Sequence, residues 1–501
     1  MAISLLLSLS LGLPPLITVP TDGQPMRFGI SVPAAELAAG LSLSGPGAMQ
    51  WRRLPVGLAE SEHVWIELAI VAPRGTVRVL RGGAGPCPDG RGPAFVLAKD
   101  EQRVAHGTVR VVRWQWVDGT VDERSRTTFT AITELGGETY QVGEGLTTVT
   151  PGLAERAHYW LQRGHAPAIR YGLLPARANG LTATKGVRKH LQKVLPCLVE
   201  MGGRRGAGDF VRQDGVVTNL EFDTTLALLR CAVAMRSERA WQLALRAAGH
   251  LRDRDLDVRT GLPFVHGVSH RAAPPEPGHT WLEGLLWVGL LTADDDALVA
   301  ARSVGRALAA YLPVGTGRNE RMRDYGWPLL QLECLLRVDP TTRITVAADR
   351  LAAAIVMRFD AGARTFRFGE GELGGGVYLE RAWLTGGILI PALQQHLRRQ
   401  PNEEIANKVR VVQRALLARI GSGARGLPTH WRIAHGRATA EHFERNSARA
   451  TWLLEALSTR DQARLLRRSS VRRAVAETPA LEHPDLATEF TLLARCRWLW
   501  Q

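Results

Sequence analysis

The chain has 501 residues, 45% of them hydrophobic and 22% charged, and carries a formal net charge of +15. This length allows more than one hydrophobic core, so we expect two or three domains of a globular protein. Beyond the first 20 residues, no apolar run approaches the roughly 18 residues of a transmembrane helix, so we expect no stable membrane insertion.

Nearly all of the positive charge is arginine, because lysine occurs at only five positions. The arginines are scattered through every segment without an interleaved aromatic patch, so we expect no nucleic-acid partner. Two explanations remain: a codon bias that favours arginine, or an anionic partner such as an acidic polysaccharide or oligosaccharide. The planar guanidinium suits carboxylates, because it can donate to both oxygens at once.

Residues 1–20 form an apolar leader of signal-peptide length. No basic residue precedes the run and no clear small-residue cleavage site follows it. Either it is a signal peptide of a secreted or periplasmic protein, or, in a cytoplasmic protein, it is a buried first strand or the product of a misassigned start codon. The five cysteines are odd in number and far apart, which predicts neither a disulfide framework nor a zinc site.

Residues 21–150 are expected to form a β-sandwich-like domain. The run VRVVRWQWV at 109–117 alternates with the period of two that is typical of half-buried strands. The predicted strands are residues 28–30, 64–71, 76–80, 109–116, 125–132 and 145–149. Short strands with regular turns between them indicate a sandwich or a small open barrel. Residues 151–208 follow as a linker with short helices.

Residues 209–501 are predicted to be helical, in pairs joined by short polar tips. The predicted pairs are 221–235 with 238–251, 279–291 with 297–312, 325–336 with 341–359, 381–399 with 402–420, and 438–457 with 460–476, followed by a closing helix at 482–498. Repeated helical hairpins predict an (α/α)6 toroid, with an open solenoid as the alternative. The links between hairpins are long and should meet on one face, where function is usually carried.

The entry to the first hairpin contributes Asn219, Glu221 and Asp223 as candidate substrate ligands. Helix capping explains the same residues equally well. In the first long link, Asp257 ends the run Asp253-x-Asp255-x-Asp257, whose alternative is a solvated loop. A calcium loop needs more oxygen ligands and a closing glutamate, so we predict no metal site and no cofactor, although a divalent cation such as calcium stays possible.

The second hairpin begins after three candidate histidines, His266, His270 and His279. The HxxxH spacing would suit zinc on a helix, but Pro263 and Gly267 disfavour a helix there. We therefore expect these imidazoles to act as a base or as substrate ligands, or to be structural. Trp281 and Glu283 open the next helix as candidate substrate contacts.

The third hairpin begins with Arg321-x-Arg323-x-Tyr325-x-Trp327. An arginine pair beside a tyrosine and a tryptophan can hold a carboxylate and stack on a sugar ring, whereas surface arginines with a core tryptophan are the structural alternative. Arg381 stands at a comparable place in the fourth hairpin.

The central block resembles a known family. The residues that carry the resemblance are GDF and NLEFD (208–223), HLRDRDLDV (250–258), HGVSH (266–270), GHTWLEGLLWVGLLTADDDAL (278–298) and RDYGWPLLQL (323–332), with MRFGISVPAAEL (26–37) in the β-rich part. Over residues 25–360 the chain resembles the exo-acting rhamnogalacturonan lyases of polysaccharide lyase family 26. The resemblance implies a β domain on an (α/α)6 toroid and a lyase that acts on a pectin-derived acidic polysaccharide.

A uronate lyase must neutralise the sugar carboxylate, remove the C5 proton and protonate the leaving oxygen. Arg321 or Arg323 is our candidate for the first task, His270 or His279 for the second, and Tyr325 for the third, while Trp281 and Trp327 would stack on sugar rings. One alternative is a glycoside hydrolase that uses two carboxylates from Glu221, Asp223, Asp255, Asp257 and Glu283. A non-catalytic carbohydrate-binding or scaffold protein is the other.

Overall fold

A computed structural model gives the fold. The described residues are 15–21, 26–44, 48–54, 56, 63–83, 98–104, 107–115, 121–128, 158–163, 173, 184–203, 210–211, 217–218, 222–257, 259–265, 274–311, 320–422, 427–441, 448–468, 471, 490–491 and 494. In this part the N-terminal region is built from antiparallel sheets, and the C-terminal region is mostly helical.

Nine strands form three three-stranded antiparallel sheets, in the orders β1-β6-β3, β2-β5-β4 and β7-β8-β9. The strands are β1 Ile17–Thr21, β2 Met26–Pro33, β3 Leu41–Ser44, β4 Ala48–Arg53, β5 His63–Val71, β6 Gly75–Arg81, β7 Ala98–Val104, β8 Gly107–Gln115 and β9 Val121–Thr128. Alternating burial explains the first sheet, because Val77 and Val79 of β6 lie inside while the residues before and between them face solvent.

The last residues of the predicted leader belong to a strand of the β region. Strand β1 begins at Ile17 and pairs with β6, in the register Ile17↔Val79. Leu16 and Val19 are buried in the core. The predicted boundary between a leader and the β domain therefore lies within a strand, and residues 1–14 lie outside the described part.

The helices confirm a helical C-terminal region. They are α1 Ala34–Leu37, α2 His158–Arg163, α3 Thr184–Gly203, α4 Thr224–Met235, α5 Glu238–His250, α6 Glu283–Thr292, α7 Asp295–Ala310, α8 Arg323–Leu336, α9 Thr342–Val356, α10 Ala382–Leu384, α11 Ile390–Arg399, α12 Glu403–Ser422, α13 Ala448–Trp452 and α14 Thr459–Leu466. Polar tips join them as predicted: Ser237 caps α5, and the Asp294 carboxylate accepts from two backbone N–H groups of α7.

The predicted helices 381–399 and 438–457 differ most from the structure. The predicted helix 381–399 is interrupted by a π-helical segment, Thr385–Leu389, where the chain packs directly on the last hairpin. A Cβ on Gly387 would lie 2.4 Å from the Trp452 ring, so only glycine allows this approach. The prediction of a helix from residue 438 was wrong, because Arg437–Glu441 is a strand and α13 begins at Ala448.

The long links after α9 and α12, and the segment before α4, contain strands that the sequence did not predict. The strands are β10 Phe210–Val211, β11 Val217–Thr218, β12 Phe359–Asp360, β13 Thr365–Phe366, β14 Glu372–Gly374, β15 Val377–Glu380, β16 His430–Ala434 and β17 Arg437–Glu441. The link after α9 pairs with the link after α12 through β15 and β16, which gives a four-stranded sheet in the order β14-β15-β16-β17. Long-range pairing of this kind joins segments about 50 residues apart in the chain.

The β region packs on the second helical hairpin. The Phe28 and Tyr159 rings stack at 4.7 Å, and Trp65 lies edge-on to Trp287 of α6 at 6.1 Å. The contact is closest at Gly29, where an added Cβ would lie 1.7 Å from the Leu290 carbonyl oxygen. The sheet β2-β5-β4 therefore forms one continuous core with α6.

Candidate functional site

Three of the long links meet on one side of the helical region, which we call the link face (residues 274–279, 320–325 and 367–381). Arg321 donates to Glu276 of the first link at 2.7 Å. Glu370 of the third link donates from its backbone N–H to the Glu320 carbonyl at 2.9 Å, and its carboxylate pairs with Arg381 at 3.1 Å. The convergence that the hairpin pattern predicted is therefore present for these links.

His279 and Arg323 lie together on this face. The Arg323 Nη2 approaches His279 Nδ1 at 3.4 Å, and its Nε donates to the Gly278 carbonyl at 3.0 Å. A guanidinium can only donate, so Nδ1 is the accepting nitrogen and the ring proton belongs on Nε2. That nitrogen faces the Glu276 carboxylate at 3.7 Å. His279 belongs to a short 3-10 turn rather than to α6, because Thr280 is extended.

Gly278 makes this approach possible. A Cβ at residue 278 would lie 2.3 Å from Asp324 Oδ1 and 2.9 Å from the Arg323 side chain. A side chain there would push α8 away from the turn that carries His279. The GHTW motif therefore has a packing reason for its glycine.

Arg321 forms the rim of the link face and is 36% exposed. Its guanidinium donates to both oxygens of Asp324, at 2.8 and 3.0 Å, as well as to Glu276. Partial burial alone would lower the pKa of Arg321, but the hydrogen bonds to Asp324 and Glu276 outweigh it and raise the pKa above its usual range. Arg381 lies on the same rim and is 42% exposed.

Partners within the protein occupy the Tyr325 hydroxyl. Its side chain is buried, and its hydroxyl donates to Glu320 while accepting from Arg358 Nη2 at 2.8 Å. Burial, and then the hydrogen bond to Glu320, raise the pKa of Tyr325 well above its usual range. The Arg358 guanidinium also lies over the Tyr325 ring, with its Cζ 4.3 Å from the ring centroid. Tyr325 therefore anchors the loop that holds Glu320, and we correct the role of leaving-group acid.

Trp281 and Trp327 are core residues, 2% and 0% exposed. They lie edge-on to each other at 6.1 Å, and both contact Phe222. The starts of α4, α6, α8 and α10 and the helix α13 each supply one ring to this aromatic cluster: Phe222, Trp281, Trp327, Trp383 and Trp452. We therefore correct the expectation that these two indoles stack on a sugar, because their faces are taken up by each other and by their neighbours.

Asp223 is a structural cap that joins two helices. One carboxylate oxygen accepts from the Leu226 N–H of α4 at 3.0 Å, and the other accepts from the Gly284 N–H of α6 at 2.9 Å. The residue is 2% exposed and has a positive φ of 63°. The capping alternative is the better description of Asp223. Asn219 and Glu221 lie outside the described residues.

Asp257 holds a turn rather than facing the link face. Its carboxylate accepts from the Arg259 N–H at 3.2 Å and from the Thr260 hydroxyl at 3.1 Å. Burial favours its protonated form, but these hydrogen bonds outweigh the effect of burial and lower the pKa of Asp257. Asp253 pairs with Arg252, and Asp255 faces His250 at 3.4 Å, so the three aspartates serve different partners.

Glu283 lies away from His279, at a small cavity between the helices. The cavity is lined by Arg230, Glu283, Leu330, Gly387, Pro391, Trp452 and Glu455. It leaves about 20 Å³ for water, enough for one or two molecules. Glu283 is 2% exposed, and its carboxylate lies 3.8 Å from the Arg230 guanidinium and 3.9 Å from the Arg337 guanidinium. Glu455 is a second carboxylate here that the sequence analysis missed.

Glu276, Glu320, Arg358 and Glu370 were also missed, although they hold the link face together. Each lies in a link or next to one, where polar residues are common and no spacing marks them. The remaining candidates, His266 and His270, lie outside the described residues. Among the described residues, no group of three metal-ligating side chains lies close enough together to hold a metal ion. No described helix is both long and apolar enough to cross a bilayer.

No protein-family model matches the chain, and no curated protein matches it.

Proposed function

We propose that the protein is a polysaccharide lyase that cleaves a uronic-acid-containing, rhamnogalacturonan-like chain by β-elimination at the link face. The observation that carries the proposal is the His279–Arg323 pair, with Nη2 to Nδ1 at 3.4 Å, beneath a rim that holds Arg321 and Arg381. An imidazole beside guanidinium groups is the combination that removal of a proton next to a carboxylate needs. The family resemblance in the same segments supports the substrate class.

We also propose that the helical hairpins close into an (α/α)6 toroid. Two contacts between the first hairpin and the last part of the chain support ring closure. The Phe222 and Trp452 rings lie 5.8 Å apart, and the Thr224 and Thr491 hydroxyls lie 2.9 Å apart. In such a ring the link face is the mouth, and the aromatic cluster is its floor.

The proposed chemistry begins with an exchange of partners. A substrate carboxylate competes for the Arg323 guanidinium, which then releases His279 Nδ1. Positive charge from Arg321, Arg323 and Arg381 stabilises the enolate that forms when the C5 proton leaves. Nδ1 takes that proton, the bond from C4 to the leaving oxygen breaks, and a C4–C5 double bond forms. The leaving oxygen lies on the opposite face of a galacturonate ring from the C5 proton, so a water molecule protonates it, and the imidazolium then returns its proton to solvent.

The test is incubation with rhamnogalacturonan and other acidic polysaccharides, followed by ultraviolet absorbance of the unsaturated product. We expect His279→Ala to lower the rate by about 10²–10⁴-fold, the usual contribution of a general base. Arg323→Ala should lower it as well, whereas Arg437→Ala, at an exposed arginine on β17, should leave it unchanged. Full activity in both His279→Ala and Arg323→Ala would remove the assignment.

A second candidate function is a glycoside hydrolase, which needs two carboxylates beside a bound sugar. Glu283 and Glu455 line a cavity that has room for one or two water molecules and not for a sugar ring, so the cavity would have to open for a substrate to bind there. New reducing ends without ultraviolet absorbance, lost in Glu283→Gln, would select this function. Binding without either product would leave a carbohydrate-binding protein.

A further inference from the structure

Helix α14 presents a stripe of arginines to solvent. Arg460 and Arg464 lie on α14, and Arg467 and Arg468 follow its last residue, Leu466; all four are exposed. The spacing of 4 and 3 residues places Arg460, Arg464 and Arg467 on one side of this segment. We call these four residues the arginine stripe. In the described part of the chain, no carboxylate lies within ion-pair distance of Arg460, Arg464 or Arg467. Like charges three and four residues apart repel each other, so the stripe costs the free protein stability.

Some charges on the other surface helices are paired. On α12, Lys408 pairs with Glu404 and Arg410 pairs with Glu403. On α7, Arg302 pairs with Asp339. The single carboxylate of α14 belongs to Asp461, which accepts from the Ser458 hydroxyl at 2.7 Å at the helix start. The stripe differs from the dispersed exposed arginines of α9 and α12, Arg343, Arg350 and Arg414, in that its members lie close together along the chain.

The stripe is held rigidly, because the opposite face of α14 is buried. Leu465 and Leu466 are 0% and 3% exposed. The Gln462 side chain donates to the Leu454 and Leu457 carbonyls at 2.9 and 3.0 Å, which fixes α14 to the turn before it. A helix whose apolar face is already packed has none left to insert into a bilayer, so a membrane surface is a poor partner.

We propose that the arginine stripe is a docking strip for a linear acidic polysaccharide, separate from the link face. The proposal rests on the proposed function for the class of ligand, and it adds a second contact for the same chain. Guanidinium groups spaced along one helix match a polymer that carries a carboxylate on each sugar, because each fork can bind both oxygens of one carboxylate. Nucleic acid fits less well: in the described residues 448–468 the aromatic side chain is Trp452, which is buried and cannot stack on a base.

The test is the binding of polygalacturonate, measured by calorimetry at several salt concentrations. We expect the affinity to fall as salt rises and to fall about 10-fold or more in Arg460→Gln/Arg464→Gln/Arg467→Gln, because three charge contacts are lost. The matched control is Arg343→Gln/Arg350→Gln/Arg414→Gln, which removes three exposed arginines from α9 and α12. We expect this control to bind within about 2-fold of the unmodified protein, since charge contacts act locally.

A second readout separates docking from a folding defect. Removal of the stripe relieves repulsion, so the triple variant should melt at the same temperature as the unmodified protein or higher while it binds more weakly. Equal losses in the stripe variant and the control would overturn the proposal, as would no binding to polygalacturonate. Stripe-dependent binding of duplex DNA in place of polygalacturonate would assign the strip to nucleic acid instead. These outcomes do not depend on whether an unsaturated product forms, which tests the link face separately.

Discussion

Glu333 is a buried carboxylate held between α8 and α11. It is 2% exposed, accepts from His396 Nδ1 at 2.8 Å and receives both Nε and Nη2 of Arg399, at 2.9 and 2.8 Å. Asp349 of α9 also accepts from Arg399, at 2.6 Å. Burial favours protonation of Glu333, but the hydrogen bonds from His396 and Arg399 outweigh it and lower the pKa of Glu333. Arg399 of α11 therefore joins Glu333 of α8 to Asp349 of α9, and the three charges hold these helices together.

We expect Glu333→Gln to lower the free energy of unfolding by about 3 kcal/mol at neutral pH, because His396 and Arg399 lose their buried partner. The folded-state pKa of Glu333 lies below the unfolded value of about 4.3, so its stabilisation is complete above that pH. It is lost as the pH falls through the folded-state pKa. Urea unfolding at a series of pH values would measure this.

The control is Glu403→Gln, at an exposed ion pair with Arg410, where we expect about 1 kcal/mol or less. A gap between the unmodified protein and Glu333→Gln that stays constant down to pH 3 would contradict the assigned charge state.

The third link of the link face is held in place by contacts with other elements. Strand β15 pairs with β16, and Glu380 at its end is fully buried, where it accepts from the Thr365 hydroxyl at 2.5 Å and from Arg419 of α12. The third link is therefore fixed at both ends: by the sheet on one side and by the contact of Glu370 with Glu320 on the other. A loop fixed in this way can hold the rim arginines in place.

The packing of β2 on α6 provides a prediction at the same scale. Gly29→Ala places a Cβ 1.7 Å from the Leu290 carbonyl oxygen, so strand and helix must move apart. We expect a loss of about 1–3 kcal/mol or more in the free energy of unfolding. Chemical denaturation checks it.

Gly249→Ala is the matched control. In α5, its Cβ would meet only the Arg252 Nη2 at 3.7 Å. We expect a gain of about 0.5–1 kcal/mol there, because alanine is the better helix former. A loss at Gly249 as large as that at Gly29 would mean that the contact with Leu290 is not the cause.

At the scale of the whole molecule, one ion-pair network joins the β region to the helices. Arg52 of β4 pairs with Glu67 of β5 at 2.5 Å and with Asp295, at the start of α7, at 2.9 Å. Glu67 is 0% exposed, whereas the Asp295 side chain is 48% exposed. The buried pair of Arg52 and Glu67 therefore contributes more to stability than the pair of Arg52 and Asp295.

We expect Arg52→Met to lower the free energy of unfolding by about 3–5 kcal/mol, because it leaves the Glu67 charge buried without its partner. Arg52→Met/Glu67→Leu should recover most of the loss, and Arg53→Met, at the exposed neighbour on β4, should cost less than about 0.5 kcal/mol. Urea unfolding followed by tryptophan fluorescence would report on both regions. An Arg52→Met variant as stable as Arg53→Met would contradict the role given to Glu67.

The sequence by itself determined the order of the elements and the positions of the tips. Apolar periodicity and polar tips are local signals, so the apolar runs predicted helices, and the tips that contain Ser237 and Asp294 marked where α5 and α7 begin. The same local signals placed His279, Arg321 and Arg323 at the ends of links that meet. Local pattern failed where distant segments pair, as in β15 with β16, because such a strand gains its hydrogen bonds from a partner about 50 residues away.

Only the tertiary structure decided which polar and aromatic side chains face solvent. Trp281 and Trp327 looked like sugar platforms, but the helix starts converge and bury them against Phe222. Asp223 and Glu283 are two carboxylates near helix starts with different surroundings: one caps two helices, and the other lines a cavity. The burial and the hydrogen-bond partners of a side chain depend on packing between distant segments, so the local spacing of residues does not predict them.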